Sequence, residues 1–142
     1  MYQKKKQDDI RCPLEYAISL ISGKWNSRIL CVLHTYGTVR YSKLRDELVT
    51  ISDAVLSATL KEMLNKKLIV KHVLSTQLTP HVEYSLSDYS KTLLPAMQEL
   101  CKWGGVHFIN HDQNIPLCKR CACNVKMVKA NWQNSDTLFL TI

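Results

Sequence analysis

At 142 residues, 46% hydrophobic and 22% charged, the chain is long enough to bury a core without disulfide or metal staples and too apolar to remain disordered. No apolar run reaches bilayer-spanning length, and the opening Met1-Tyr2-Gln3-Lys4-Lys5-Lys6 is polar with no signal-type apolar segment behind it, which predicts a cytoplasmic protein with no membrane partner. Six cysteines in a reducing compartment are core thiols, reactive thiols or metal ligands, and a formal net charge of +7 favours a polyanionic partner.

Residues 106–142 hold four bases and two acids, so most of the basic excess belongs to the first 105 residues. In chain order, Leu14, Ala17, Ile18 and Ile21 recur at helical spacing, and Gly23 marks the stop. Trp25, Ile29, Val32 and Leu33 predict a second helix before Gly37, and Tyr41, Leu44 and Leu48 predict a third. Ser52 then has the chemistry of an N-cap, with Asp53 in the first turn and Val55, Leu56, Leu60, Met63 and Leu64 on one stripe. The opposite face of this fourth helix carries Asp53, Ala54, Ser57, Ala58, Lys61 and Asn65, small and polar side chains that a DNA groove accommodates.

The period changes after Leu68. Val70 and Val73 lie in a β-prone stretch, Ser75 to His81 reads as a polar loop, and Val82, Tyr84 and Leu86 alternate with Glu83 and Ser85, which predicts two strands. From Ser87, Leu93, Leu94, Met97, Leu100 and Cys101 return to helical spacing until Trp103-Gly104-Gly105, with Pro95 tolerable only in the first turns. Four helices, a hairpin and a long last helix predict an α+β, mainly helical winged helix-turn-helix. It has a two-stranded wing and a C-terminal dimerisation helix over residues 1–105, followed by a cysteine-containing extension over 106–142.

Particular residues sharpen this. Cys12-Pro13-Leu14-Glu15, Gly23-Lys24-Trp25, Tyr41-Ser42-Lys43-Leu44, Ile51-Ser52, Leu56-Ser57, Leu60-Lys61-Glu62, Val82-Glu83-Tyr84-Ser85-Leu86-Ser87 and Leu94-Pro95 to Trp103-Gly104 resemble the HxlR family of regulators in order and spacing. The resemblance covers residues 12 to 104. It implies a homodimer built from the N-terminal segment and the last helix, acting on double-stranded DNA at promoters as repressor or activator, often in answer to an electrophile or oxidant. DNA contacts are then expected from Lys43, Ser52, Asp53, Ala54, Ser57, Ala58, Lys61 and, on the wing, His81. The chain departs from the family at Lys66-Lys67, where an acid and Gly are usual, at Ala54, where a base is common, at Ser90 in place of a frequent Gly, and at His81 in place of Arg.

The resemblance also implies that Cys12 is the redox-responsive thiol. A helix-start position with Arg11 beside it and Lys4 to Lys6 upstream favours the reactive thiolate. Cys31 and Cys101, on apolar stripes, read as buried small hydrophobes. Beyond the resemblance, Cys118-Lys119-Arg120-Cys121-Ala122-Cys123 forms half of a zinc motif, with Cys118, Cys121 and Cys123 as ligands, or else lies in a plain extension. No Gly-rich phosphate loop, nucleophile elbow or His-Glu-x-x-His occurs, so no enzyme is expected and no cofactor beyond a zinc ion in the tail. The competing reading is a protein-interaction or zinc-binding module on a winged-helix scaffold.

Overall fold

The computed structural model describes residues 11–76 and 79–111. The chain divides into two units, Met1–Ser87 and Asp88–Ile142. In the first, helix α1 spans Pro13–Ile21. Proline at its first position lacks an N–H that would go unbonded there anyway. The helix ends where the Ser22 N–H bonds the Ile18 carbonyl and Gly23 turns to φ +118°. Buried Asn26 donates from Nδ2 to the Ser22 carbonyl at 2.8 Å, tying the end of α1 to the start of α2 (Asn26–Tyr36). Helix α2 stops at Gly37, φ 77°. Its Ile29, Leu30, Val32 and Leu33 are the centre of the core, joined there by Leu44 and Leu48 of α3 (Tyr41–Leu48), Ile51, and Leu56, Leu60 and Met63 of α4 (Asp53–Asn65).

Helix α4 closes in a Schellman motif. The Leu68 N–H reaches the Met63 carbonyl at 2.9 Å and the Lys67 N–H reaches Leu64 at 3.0 Å, with Lys67 left-handed at φ 58° and Leu68 and Met63 both buried. Lysine thus occupies a backbone position that favours glycine.

The sheet has three strands where the spacing predicts two. Strand β1 (Val39–Arg40) pairs antiparallel with β3 (Thr79–Leu86), which pairs in turn with β2 (Ile69–Thr76), in the order β1-β3-β2. A two-residue strand leaves no periodic signal. The β2–β3 ladder runs from Ile69 opposite Leu86 to Thr76 opposite Thr79, so Ser75 to His81 is not the loop that its polarity predicts: Ser75, Thr76 and Thr79 to His81 are strand. Pro80 is tolerated because β1 covers β3 only at Glu83 and Tyr84, leaving that stretch an edge.

In the second unit the predicted single helix is two. Helix α5 (Asp88–Lys91) stops short of Pro95, and α6 runs Leu94–His111 with Pro95 in its first turn, where no i−4 partner is lost. Gly104-Gly105 does not end α6 as predicted. Gly104 keeps a negative φ, and a helical glycine costs only about 1 kcal/mol relative to alanine.

Candidate nucleic-acid interface

The helix-turn-helix is α3, a tight turn and α4. At the turn, the Thr50 N–H bonds the Leu48 carbonyl at 2.6 Å across Val49, whose φ 51° and ψ −58° make it the centre of a γ-turn of the rare left-handed kind. Val49 is 82% exposed. Ser52 caps α4, its hydroxyl accepting the Val55 N–H at 3.3 Å. Ser52 therefore has its hydroxyl directed at the helix start.

Burial divides α4 sharply. Leu56, Leu60 and Met63 face the core, whereas Asp53, Ala54, Ser57, Ala58, Lys61 and Asn65 are exposed. Val55, expected on the core stripe, is 43% exposed, because the residue before Leu56 stands 100° around the helix from it. Leu64, also expected there, is half-buried. Lys61 has no ion pair among the described residues, so its ammonium is open to an anion.

A polar cluster joins α3 to the start of α4. The Tyr41 hydroxyl lies 3.2 Å from the Asp53 carbonyl, 3.2 Å from Asp53 Oδ1 and 3.2 Å from Ser57 Oγ. Arg45 Nε forms an ion pair with Asp53 Oδ1 at 3.3 Å. Tyr41 and Arg45 were not among the expected site residues: Tyr41 reads by spacing as one more apolar stripe position, and only its hydroxyl carries the signal. Lys43 pairs with Glu47 at 2.8 Å and stands 5.0 Å from the Tyr36 ring centre. Its Glu47 hydrogen bond, and then the Glu47 charge, raise the lysine above 10.5. The stability from that pair is present below pH 10.5 and is lost only as pH rises through the higher folded value, so the pair persists at neutral pH.

On the wing, His81 is half-buried in β3 opposite Leu74, not in a loop, and His72 Nε2 meets Ser85 Oγ at 2.8 Å. Arg40 Nε pairs with Glu83 across β1 and β3 at 3.4 Å. Lys71 on β2 is exposed.

Away from the helix-turn-helix, Cys12 is the N-cap of α1. Its exposed Sγ accepts the Glu15 N–H at 3.3 Å, while Glu15 Oε2 accepts the Arg11 N–H at 3.2 Å. Cys31 and Cys101 are half-buried rather than buried. Cys118, Cys121 and Cys123 lie outside the described residues. Among the described residues no cluster of three or more His, Cys, Asp or Glu could hold a metal ion, and no helix is long and apolar enough to cross a membrane.

Residues 20–112 match the model of the HxlR-like helix-turn-helix family. The uncharacterized HTH-type transcriptional regulator YdzF of Bacillus subtilis (strain 168) is 45% identical over 95 residues, which is 66% of this chain and 85% of YdzF. Among solved structures, the reduced form of the transcriptional regulator YodB from B. subtilis superposes with a TM-score of 0.64 at 28% identity, covering 72% of this chain and 100% of YodB. The redox regulator HypR in its reduced form gives a TM-score of 0.60 at 30% identity, covering 68% of this chain and 93% of HypR. With one helix aimed outward beside a strand hairpin and a family match across most of its length, this chain belongs to the HxlR-like helix-turn-helix transcriptional regulators.

Proposed function

We propose that the protein is a cytoplasmic regulator that binds promoter operators as a homodimer, inserting the outward face of α4 into the major groove and laying the β2–β3 wing on the adjoining backbone or minor groove. The observation that carries this is the division of α4: its inner stripe is sealed in the core, while Ala54, Ser57, Ala58 and Lys61 form a small-and-basic face open to solvent. Small side chains let the helix backbone approach base edges, and Lys61 offers its unpaired charge to phosphate. Ser52, Asp53, Lys43 and His81 are assigned the remaining contacts; Lys43, paired with Glu47 at 2.8 Å, reaches DNA only by sharing its ammonium.

Dimerisation is supported by exposed apolar side chains on two helices, Leu14 at 67% and Ile18 at 50% on α1, Leu100 at 55% and Trp103 at 64% on α6. A sensing role for Cys12 towards oxidants or electrophiles is supported by its exposed sulfur, which accepts an amide hydrogen at a helix start, and by the likeness to two regulators, one described as a redox regulator.

Mobility-shift titration of DNA flanking the chain's own gene, at two salt concentrations, tests the reading. Binding that weakens steeply with salt, and is lost in the Ser57→Ala/Lys61→Ala double variant with an unchanged melting curve, is the expected outcome. No binding at low salt would leave the interaction or zinc module in its place. A single-chain mass in light scattering at micromolar concentration would remove the dimer.

A further inference from the structure

The cluster that Tyr41 builds fixes which way a hydroxyl proton points. Tyr41 has one hydroxyl hydrogen and three oxygens within reach. Two of them, the carbonyl and the carboxylate of Asp53, can only accept. Were the tyrosine proton spent on Ser57, the Tyr41 oxygen would face both Asp53 oxygens across 3.2 Å with no hydrogen between them. The proton therefore belongs to Asp53, whose carboxylate Arg45 holds in place at 3.3 Å. The Tyr41–Ser57 contact at 3.2 Å is then made by the serine hydrogen, donated to the phenol oxygen.

We propose that Tyr41 sets the specificity of the recognition helix by consuming the only proton of Ser57, so that the exposed serine oxygen meets DNA purely as an acceptor and selects an exocyclic amine, adenine N6 or cytosine N4, in the major groove. This rests on the reading that α4 enters DNA. A serine hydroxyl left to itself contacts either kind of base edge, because it can donate to N7, O6 or O4 as readily as it accepts from an amine. With its hydrogen engaged, only the second choice is left. Asp53, one turn earlier and also an acceptor, adds no donor to that side of the helix. Tyr41 is a positioning residue here, acting through Ser57.

The experiment uses the full chain and a random duplex library. Selection by wild type and by Ser57→Ala identifies the base pair whose preference the serine controls. At that pair, affinity is measured for duplexes in which the exocyclic amine is deleted by a base analogue, and for duplexes in which the purine N7 is replaced by carbon. Amine deletion should weaken wild type about tenfold and leave Ser57→Ala unchanged, and N7 replacement should act alike on both. Tyr41→Phe, checked for an unchanged melting curve, should lose most of the amine dependence, since its serine still accepts from the amine but, when the amine is deleted, has a proton to donate to a neighbouring N7, O6 or O4 instead.

If N7 replacement instead weakens wild type more than Ser57→Ala, the serine is a donor and the proposal is wrong. An amine dependence that survives in folded Tyr41→Phe overturns the role of Tyr41. Ser57→Ala selecting the same sequences as wild type overturns the base contact altogether. Should Tyr41→Phe fail to fold, the two analogue series on wild type and Ser57→Ala still decide. Failure of wild type to enrich any duplex would instead refute the DNA-binding function itself.

Discussion

Helices α1 and α4 carry the same kind of apolar stripe, and their fates are opposite. Leu56, Leu60 and Met63 of α4 disappear into the core, whereas α1 buries no residue at all and leaves Leu14 and Ile18 in solvent. A helical stripe of apolar side chains states that a surface has to be covered, not what covers it. Helix α4 is covered by its own chain, which frees its other face for a ligand. Helix α1 offers Leu14 and Ile18 of its stripe outward, next to a cysteine whose sulfur is also outward, while Ala17 and Ile21 are half-buried.

The sharpest way to break that contrast is to truncate both stripes. Leu56→Ala removes a side chain with no exposure and should cost about 3 kcal/mol in chemical denaturation, at every protein concentration. Leu14→Ala should cost less than about 0.5 kcal/mol at concentrations where the chain is monomeric, and more as concentration rises and a partner covers the site. Equal, concentration-independent costs would mean that α1 is as integral to the core as α4.

The ends of the helix-turn-helix give the next effects, both of them gains. A valine at φ 51° stores about 1–3 kcal/mol of backbone strain, and being exposed it loses little by truncation. Val49→Gly, after the entropy that glycine adds to the unfolded chain, should stabilise by about 1 kcal/mol in thermal melts. Lys67→Gly, at the left-handed position that ends α4, should stabilise by about 0.5–1 kcal/mol.

The smallest effect concerns α1. Cys12→Ala removes the side-chain cap and should destabilise by about 0.5 kcal/mol, while Cys12→Ser, with an oxygen to accept the Glu15 N–H, should not. That makes the serine variant the sound control for any oxidant experiment.

Most of this architecture is legible in the spacing of apolar residues. Gly23 and Gly37 stop their helices, Ser52 caps α4, and the stripe on α4 is right except at Val55 and Leu64. The misses have physical causes. Strand β1 is too short to have a period. Polar residues from Ser75 to His81 hide a ladder held by backbone hydrogen bonds, to which side-chain polarity is irrelevant. Two glycines stop a helix only if one of them turns left-handed, and Gly104 does not. At the candidate interface, the residues on α4 could be read from the face opposite the core. Their supports could not: Tyr41 and Arg45 come from another helix, and tertiary structure alone brings them to Asp53 and Ser57.

The central claim is that the outward face of α4 meets DNA, and Ala58→Glu tests it most directly, because Ala58 is exposed and lies within that face. A carboxylate there leaves the core untouched and sets a negative charge against phosphate and base edges. Anisotropy titrations on operator DNA should show affinity falling at least about a hundredfold with a melting temperature within a few degrees of wild type. Wild-type affinity in a folded Ala58→Glu protein would place DNA on some other surface and contradict the account.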